Sequence, residues 1–225
     1  TAGGGGRGIR KVTSDAELAD AYERTRDEAQ RAFGSGVVFL EKLVTGARHV
    51  EVQVIADGQG SAWAIGVRDC SVQRRNQKVV EEAPAPALPD ALRAGLHEAA
   101  RALARSVDYR SVGTVEFLVD PARDAFHFLE VNTRLQVEHG VTELITGLDL
   151  VGLMLDVAGG AGVPADAAPS GHAVEARLYA EDPARGFQPN SGLLTAVRFP
   201  PGVRVDTWID IGTEVTPLYD PLLAK

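Results

Sequence analysis

The chain has 225 residues, 44% of them hydrophobic and 24% charged, with a net charge of -8 and one cysteine, Cys70. That is enough apolar material for a domain-sized core, and an acidic balance excludes a nucleic-acid surface, because phosphate backbones select basic proteins. A single thiol excludes an intrachain disulfide and suits a reducing, cytoplasmic setting, while the absence of a run of about 18 apolar residues excludes a membrane-spanning helix.

The chain starts at Thr1 rather than methionine and runs at once into GGGGRG at residues 3–8, which reads as an internal fragment of a longer protein. Gly3, Gly4, Gly5, Gly6 and Gly8 let the backbone approach a ligand closely, and with Arg7 they could cradle phosphates; a tether has the same composition. Ser14 and Glu17 have the spacing of a capping box, and the pattern through Phe33 predicts an amphipathic helix. Residues 37–44 and 48–56 read as two strands of one sheet, turned at Thr45 and Gly46. In the second, His49, Glu51 and Gln53 share a face; a lone histidine there is also an ordinary surface residue. A turn at residues 57–60 leads to a third strand at 61–67.

Residues 68–78, RDCSVQRRNQK, concentrate positive charge in an acidic chain. Arg74, Arg75 and Lys78 beside the amides Gln73, Asn76 and Gln77 offer what an anion such as phosphate or bicarbonate needs, although a solvated charged loop has the same look. Prolines close the segment at residues 84 and 86, and Pro89-Asp90 opens a helix predicted to reach about Val107.

The run EVNTRLQVEH at residues 130–139 is the chemical centre of the chain. In extended backbone Glu130, Asn132, Arg134, Gln136 and Glu138 share one side. Residues 113–120 form the preceding strand, and a symmetric hairpin about residue 123 sets Glu116 opposite Glu130. Two carboxylates about 5 Å apart repel by roughly 3 kcal/mol at an effective dielectric near 20. A cation removes that cost, and oxygen ligands from Glu116, Glu130 and the Asn132 amide suit Mg²⁺ or Mn²⁺ rather than zinc. A half-exposed strand whose polar face meets water is the plain alternative. Helical pieces at residues 142–146 and 148–158, broken at Gly147, precede a linker at 159–170. A last strand follows, with Glu175, Arg177, Tyr179 and Glu181 on one side, where Arg177 and Glu175 fit an ordinary ion pair.

Taken together, GGGGRG, HVEVQ at 49–53, the run from Arg68 through EEAPAP at 81–86, EVNTRLQVEH, and AVEAR at 173–177 resemble, in order and spacing, the biotin carboxylase domain of biotin-dependent carboxylases. The resemblance covers essentially the whole chain. It implies an α+β chain with a partial ATP-grasp fold over residues 1–158, the linker at 159–170, and the start of the biotin carboxylase C-terminal domain at 171–225. It implies an ATP-dependent ligase in which ATP and bicarbonate give carboxyphosphate, whose CO₂ is captured by biotin held on a separate carrier domain. Residues matching Glu116, Glu130 and Asn132 would hold Mg²⁺ or Mn²⁺. Those matching Lys78, Arg134, Gln136 and the Val137 backbone would hold bicarbonate, with Glu138 as the base. Arg177 would stabilise the biotin enolate. Glu116 and Glu130 would also face the nucleotide, with His49, Gln73 and Asn76 near its ribose and phosphates. Glu41, Lys42 and Leu43 match the hinge that meets adenine, and residues 3–8 match the lid over the phosphates.

Three positions depart from the family's pattern: Asn76 where histidine is usual in carboxylases acting on acyl-CoA, Gly140 where proline commonly follows Glu-His, and Val67 where glutamate is frequent. Asn76 and residues 204–225 look most like the urea carboxylase branch, with an acyl-CoA or pyruvate carboxylase as the alternative acceptor class. The lysine expected just before Thr1 is absent, so the chain by itself is expected to be inactive. Its one methionine, Met154, lacks a biotinylation context, so carrier and carboxyltransferase domains are expected as partners. A homo-oligomer is compatible with the resemblance. Another ATP-grasp ligase and a non-catalytic module that keeps the fold are the rival readings.

Overall fold

The computed structural model describes residues 9–120, 122–163 and 168–225. The GGGGRG stretch, Pro121 of the expected turn and residues 164–167 of the expected linker lie outside the described residues. The chain divides into two compact units, taken here one at a time.

Of the described residues, the first unit takes 9–46 and 75–77 and is built on helix α1 (Asp15–Phe33). Ser14 stands at the N-cap, yet its side chain makes no capping bond. Instead the Glu17 carboxylate accepts from the Thr13 backbone N–H at 3.1 Å and hydroxyl at 3.3 Å, so only part of the expected box forms. The helix stops at Gly34, whose φ of 71° is left-handed and costs glycine nothing. The strand expected at 37–44 does not form. Val37, Phe39, Leu40 and Leu43 are exposed, and residues 37–44 belong to none of the described sheets; side chains left in water gain nothing from the packing on which β propensity rests.

The second unit is a six-stranded sheet of β1 (Arg48–Asp57), β2 (Ala62–Arg74), β3 (Gln77–Ala83), β4 (Arg110–Asp120), β5 (Ala125–Asn132) and β6 (Ala173–Ala176), in the order β5-β4-β1-β2-β3-β6. The expected charged loop at 68–78 is therefore a hairpin. Its two turn residues, Arg75 and Asn76, both have positive φ (51° and 64°), as the tight turns that match strand twist require.

Alternation decides which side chains reach which face. Val50, Val52 and Val54 of β1 and Val115, Phe117 and Val119 of β4 face helix α2 (Asp90–Ser106), whose Leu92, Leu96 and Ala100 close a dry core. Burying each such side chain contributes about 1.5–3 kcal/mol. On the opposite face Ile55, Ile65 and Val112 pack on α4 (Leu150–Ala158) through Leu150 and Val157, and Ala83 and Ala173 pack on Val141 and Ile145 of α3 (His139–Thr146). Between these apolar ends, the middle of that face is polar.

A bulge in β2 makes this possible. Val52 pairs with Val67 but Gln53 with Ile65, so Gly66 is an extra residue, at φ 68°. Without it, Val67 would share a face with Ile65 and Arg68 would point into the valine core. The inserted glycine instead turns Val67 towards α2 and Arg68 towards the polar face.

Two further expectations change. The strand read through to Glu138 ends at Asn132, and residues 133–138 reach α3 by turns. The last strand, read from Gly171 to Glu181, is broken: β6 ends at Ala176, and within it Glu175 is buried while Val174 is 62% exposed. No helix among the described residues is long and apolar enough to cross a membrane.

Candidate active site

Register sets the foundation of the site. Across neighbouring strands Glu130 of β5 faces Glu116 of β4, Glu116 faces Glu51 of β1, and Glu51 faces Arg68 of β2. Three carboxylates thus stand in one row, the Glu116 and Glu130 pair as the hairpin spacing required. Such a row is tolerable only if cations meet it. Two do.

Arg68 is fully buried and every nitrogen of its fork is used. Nε donates to Glu51 Oε1 at 2.5 Å, Nη1 to Gln53 Oε1 at 2.7 Å and Thr142 Oγ1 at 2.8 Å, and Nη2 to Thr114 Oγ1 at 3.2 Å and Gln136 Oε1 at 3.4 Å. It ties three strands, α3 and the 133–138 turn together. Lys78 Nζ reaches Glu51 Oε2 at 2.5 Å, Glu116 Oε1 at 2.9 Å and Glu138 Oε1 at 2.5 Å. Burial works to raise the pKa of both Glu51 and Glu116. The Arg68 and Lys78 charges overcome it for Glu51, and the His49 and Lys78 contacts for Glu116, so each is held at about 2. The same carboxylates raise Lys78, against the effect of its own burial.

Glu138 is 2% exposed and stands at the N-cap of α3 without capping it. Its carboxylate points instead to two cations: Oε1 to Lys78, and Oε2 to Arg177 Nη2 at 2.9 Å. The turn that delivers it is fixed by the His139 N–H donating to the Gln136 carbonyl at 3.3 Å and by Lys225 Nζ donating to the Val137 carbonyl. Arg177 Nε donates to Glu81 Oε1 at 2.7 Å, and its own backbone N–H to the Val79 carbonyl at 3.0 Å. The expected Arg177–Glu175 ion pair is therefore replaced by Arg177 with Glu81 and Glu138; Glu175 lies 3.8 Å from Lys225.

The remaining expected residues fall into two groups. In the second unit, His49 Nε2 lies 2.8 Å from Glu116 Oε2 and its Nδ1 2.8 Å from the Gln73 amide. Asn132 and Gln136 donate to Glu116 Oε1 at 2.9 and 3.0 Å, and the exposed Arg134 donates to the Leu135 carbonyl at 3.3 Å and to Asn132 Oδ1 at 3.5 Å. Glu130 is half-buried. Glu130 is placed by its register with Glu116, and the others join Lys78, Glu138 and Arg177 in one continuous cluster. Glu41, Lys42, Leu43 and Asn76 are exposed residues of the first unit, and residues 3–8 are not described. Arg74 leaves the anion group expected for it and pairs with Glu181, its guanidinium 4.2 Å from the Phe187 ring centroid.

Sequence reading missed Arg68 and Glu51 as functional groups. Glu51 was on the right face beside His49, and its register with Glu116 was the missing information. Arg68 gave no signal, because its face depends on the bulge at Gly66.

The donor set fits a hard cation at Glu116, Glu130 and Asn132: two carboxylates from paired strands and one amide, with no soft ligand among them. The cationic groups beside it suit a small anion, and Glu138 held between Lys78 and Arg177 is placed to take a proton from one.

Residues 1–165 match the family model described as carbamoyl-phosphate synthase L chain, ATP binding domain, and residues 175–225 match the biotin carboxylase C-terminal domain. The chain is 51% identical over 228 residues to urea amidolyase of Saccharomyces cerevisiae, covering all of this chain and 12% of that protein. It is 47% identical over 250 residues to the propionyl-CoA carboxylase alpha chain of Ruegeria pomeroyi, covering all of this chain and 37% of that one. Its structure superimposes, with a TM-score of 0.93 and 41% identity, on the biotin carboxylase domain dimer of Hydrogenobacter thermophilus 2-oxoglutarate carboxylase, crystallised with MgADP, ADP and bicarbonate. That match covers 99% of this chain and 50% of the other. The chain thus spans between 12% and 50% of the length of these relatives.

Proposed function

The chain belongs to the biotin carboxylase family, and from that premise we propose that within its full-length protein it takes part in the ATP- and bicarbonate-dependent carboxylation of carrier-bound biotin. The observation that carries this reading is Glu138, buried and bonded at once to Lys78 and Arg177. A carboxylate between two cations can accept a proton from bicarbonate while the cations hold the anion that remains.

Lys78, Arg134, Gln136 and the Val137 backbone are the bicarbonate-holding groups in this reading, and Arg177 meets the negative charge that develops on the biotin ureido oxygen. Glu116, Glu130 and Asn132 would hold Mg²⁺ or Mn²⁺, which supplies charge neutralisation at the ATP phosphates. Residues 3–8, Glu41, Lys42, Leu43, His49, Gln73 and Asn76 are the proposed nucleotide contacts. We divide the chain into a nucleotide-binding region to residue 158, a connection at 159–170 and a C-terminal domain from 171. Carrier and carboxyltransferase domains are the proposed partners; the dimer of the Hydrogenobacter thermophilus domain supports a homodimer. The single, buried Cys70 supports a cytoplasmic setting.

Urea is the proposed final acceptor, supported by Asn76 and by the 51% identity to urea amidolyase. An acyl-CoA is the second reading, favoured by the 47% identity to the propionyl-CoA carboxylase chain. The test is ATP cleavage by the full-length biotinylated protein with Mg²⁺ and bicarbonate as urea, acetyl-CoA, propionyl-CoA or pyruvate is added. Stimulation by urea alone is expected; stimulation by an acyl-CoA or pyruvate moves the acceptor. The control is Glu138→Gln, for which kcat falls by about 10²-fold or more, as loss of a general base does. A wild type with no bicarbonate-dependent cleavage overturns the carboxylase reading.

A further inference from the structure

Behind Arg177 lies a second pair of acids. Glu81 of β3 and Glu175 of β6 are direct register partners on adjacent strands and share a face of the sheet. Cβ atoms so placed are about 5 Å apart. Glu81 is fully buried and Glu175 is 8% exposed. Each keeps one buried oxygen, Glu81 Oε2 and Glu175 Oε1, with no hydrogen-bond partner among the described residues.

Two ionised carboxylates in that position would leave two buried acceptors empty and repelling. One proton changes both facts: the acid becomes a donor and the neighbouring oxygen its acceptor.

We propose that Glu81 and Glu175 form a carboxylic acid–carboxylate pair sharing one proton across the β3–β6 ladder, and that this pair positions Arg177 against Glu138. The pair then presents one negative charge to the Arg177 guanidinium, with Lys225 3.8 Å from Glu175 on its other side. Glu81 Oε1 fixes Arg177 Nε at 2.7 Å, so that Nη2 faces Glu138 at 2.9 Å. A second negative charge would draw the guanidinium back towards the pair and away from Glu138.

The surroundings agree. Glu81 is faced by Arg177, Glu138 and Glu51, and Glu175 by Lys225, Glu81, Arg177 and Glu138. From α3, His139 and Glu143 turn to Lys225 and Arg204, and Gly140 presents no side chain; a Cβ there would lie 3.4 Å from Glu175 Oε2. Burial above all, with neighbouring carboxylates adding to it and Arg177 or Lys225 opposing it, pushes Glu81 and Glu175 each up to about 7.

The effect on Arg177 rests on the carboxylase reading, whereas the shared proton does not. Two measurements on the full-length protein separate them. Infrared difference spectra between wild type and Glu175→Gln, and between wild type and Glu81→Gln, are expected to show a protonated-carboxyl C=O band present at neutral pH in wild type and lost in the variants. In bicarbonate-dependent ATP cleavage, wild-type kcat is expected to fall on the alkaline side as the last shared proton leaves. Glu175→Gln cannot form the dianion, so its alkaline limb moves up by about one pH unit or disappears, with KM for ATP unchanged. Glu81→Gln lowers kcat about tenfold at every pH. If Glu81→Gln does not fold, the Glu175→Gln arm decides alone. Superimposable pH profiles together with no lost band overturn the proposal and leave Glu81 an ordinary ion-pair partner. A lost band in a protein with no carboxylation at all keeps the proton pair and sinks the reaction assigned to it.

Discussion

A fully buried guanidinium has no water to replace a lost partner. Arg68 spends its donors on Glu51, Gln53, Thr114, Gln136 and Thr142, so its removal leaves Glu51 as a buried charge with only Lys78 to meet it. Arg68→Met keeps the stem and deletes the fork. We expect it to destabilise the fold by about 3–5 kcal/mol, the cost of breaking a buried pair from one side, read as a lower urea midpoint at unchanged slope. An unchanged midpoint would mean that water enters the cluster. Lys78 is the counterpart on the reactive side: the same Glu51 carboxylate braces both cations, so structure and chemistry meet in one residue that sequence reading passed over. The paired Glu116 and Glu130 were legible because a hairpin has a countable register. Glu51 was not, because its partner lies on a strand far away in the chain.

The bulge in β2 makes Gly66 an architectural position. A β-branched residue at φ 68° is strained by about 1–3 kcal/mol, and the alternative, straightening the strand, would aim Arg68 into the valine core under α2. Gly66→Val in the full-length protein is therefore expected to lower the thermal midpoint by several degrees and, on the proposed function, to abolish bicarbonate-dependent ATP cleavage in the folded fraction, whereas Gly34→Ala at the end of α1 costs stability alone. Helices α2, α3 and α4 were legible to within about three residues at their ends, since Pro89 and Gly147 punctuate them. The strand at 37–44 was misread because a run of β-favouring residues reports what the segment prefers, and the packing that would realise the preference is not written in it. The last strand was read correctly in setting Glu175 and Arg177 on one side and wrongly in pairing them with each other. Arg177 turns instead to Glu81 of β3 and to Glu138, the residue before α3, and neither partner is visible from its own segment.

Across the molecule, the buried acids pull stability in opposite directions with pH. Glu51 and Glu116, held at about 2 against an ordinary 4.5, contribute stability that is present above pH 4.5 and lost as pH falls towards 2. Glu81 and Glu175, raised to about 7, are more easily protonated folded than unfolded, so their cost is absent below pH 4.5, accrues as pH rises to 7 and is complete above it. Each shift of this size corresponds to about 3 kcal/mol, with strong coupling inside each pair. The expected profile is a maximum near pH 5, falling on both sides, and Glu175→Gln flattens the alkaline fall; urea midpoints that vary monotonically from about pH 2.5 to 8 would contradict it. The contacts that create this balance join residues distant in sequence: Lys78 and Glu138 are 60 positions apart, Arg68 and Thr142 74, Glu81 and Arg177 96. Loops of that length must close before any of these bonds repays the lost entropy. No hairpin or half-sheet carries the cluster, so a nascent chain holds it only after Arg177 has left the ribosome, when the strands made first are still waiting for the last of their partners.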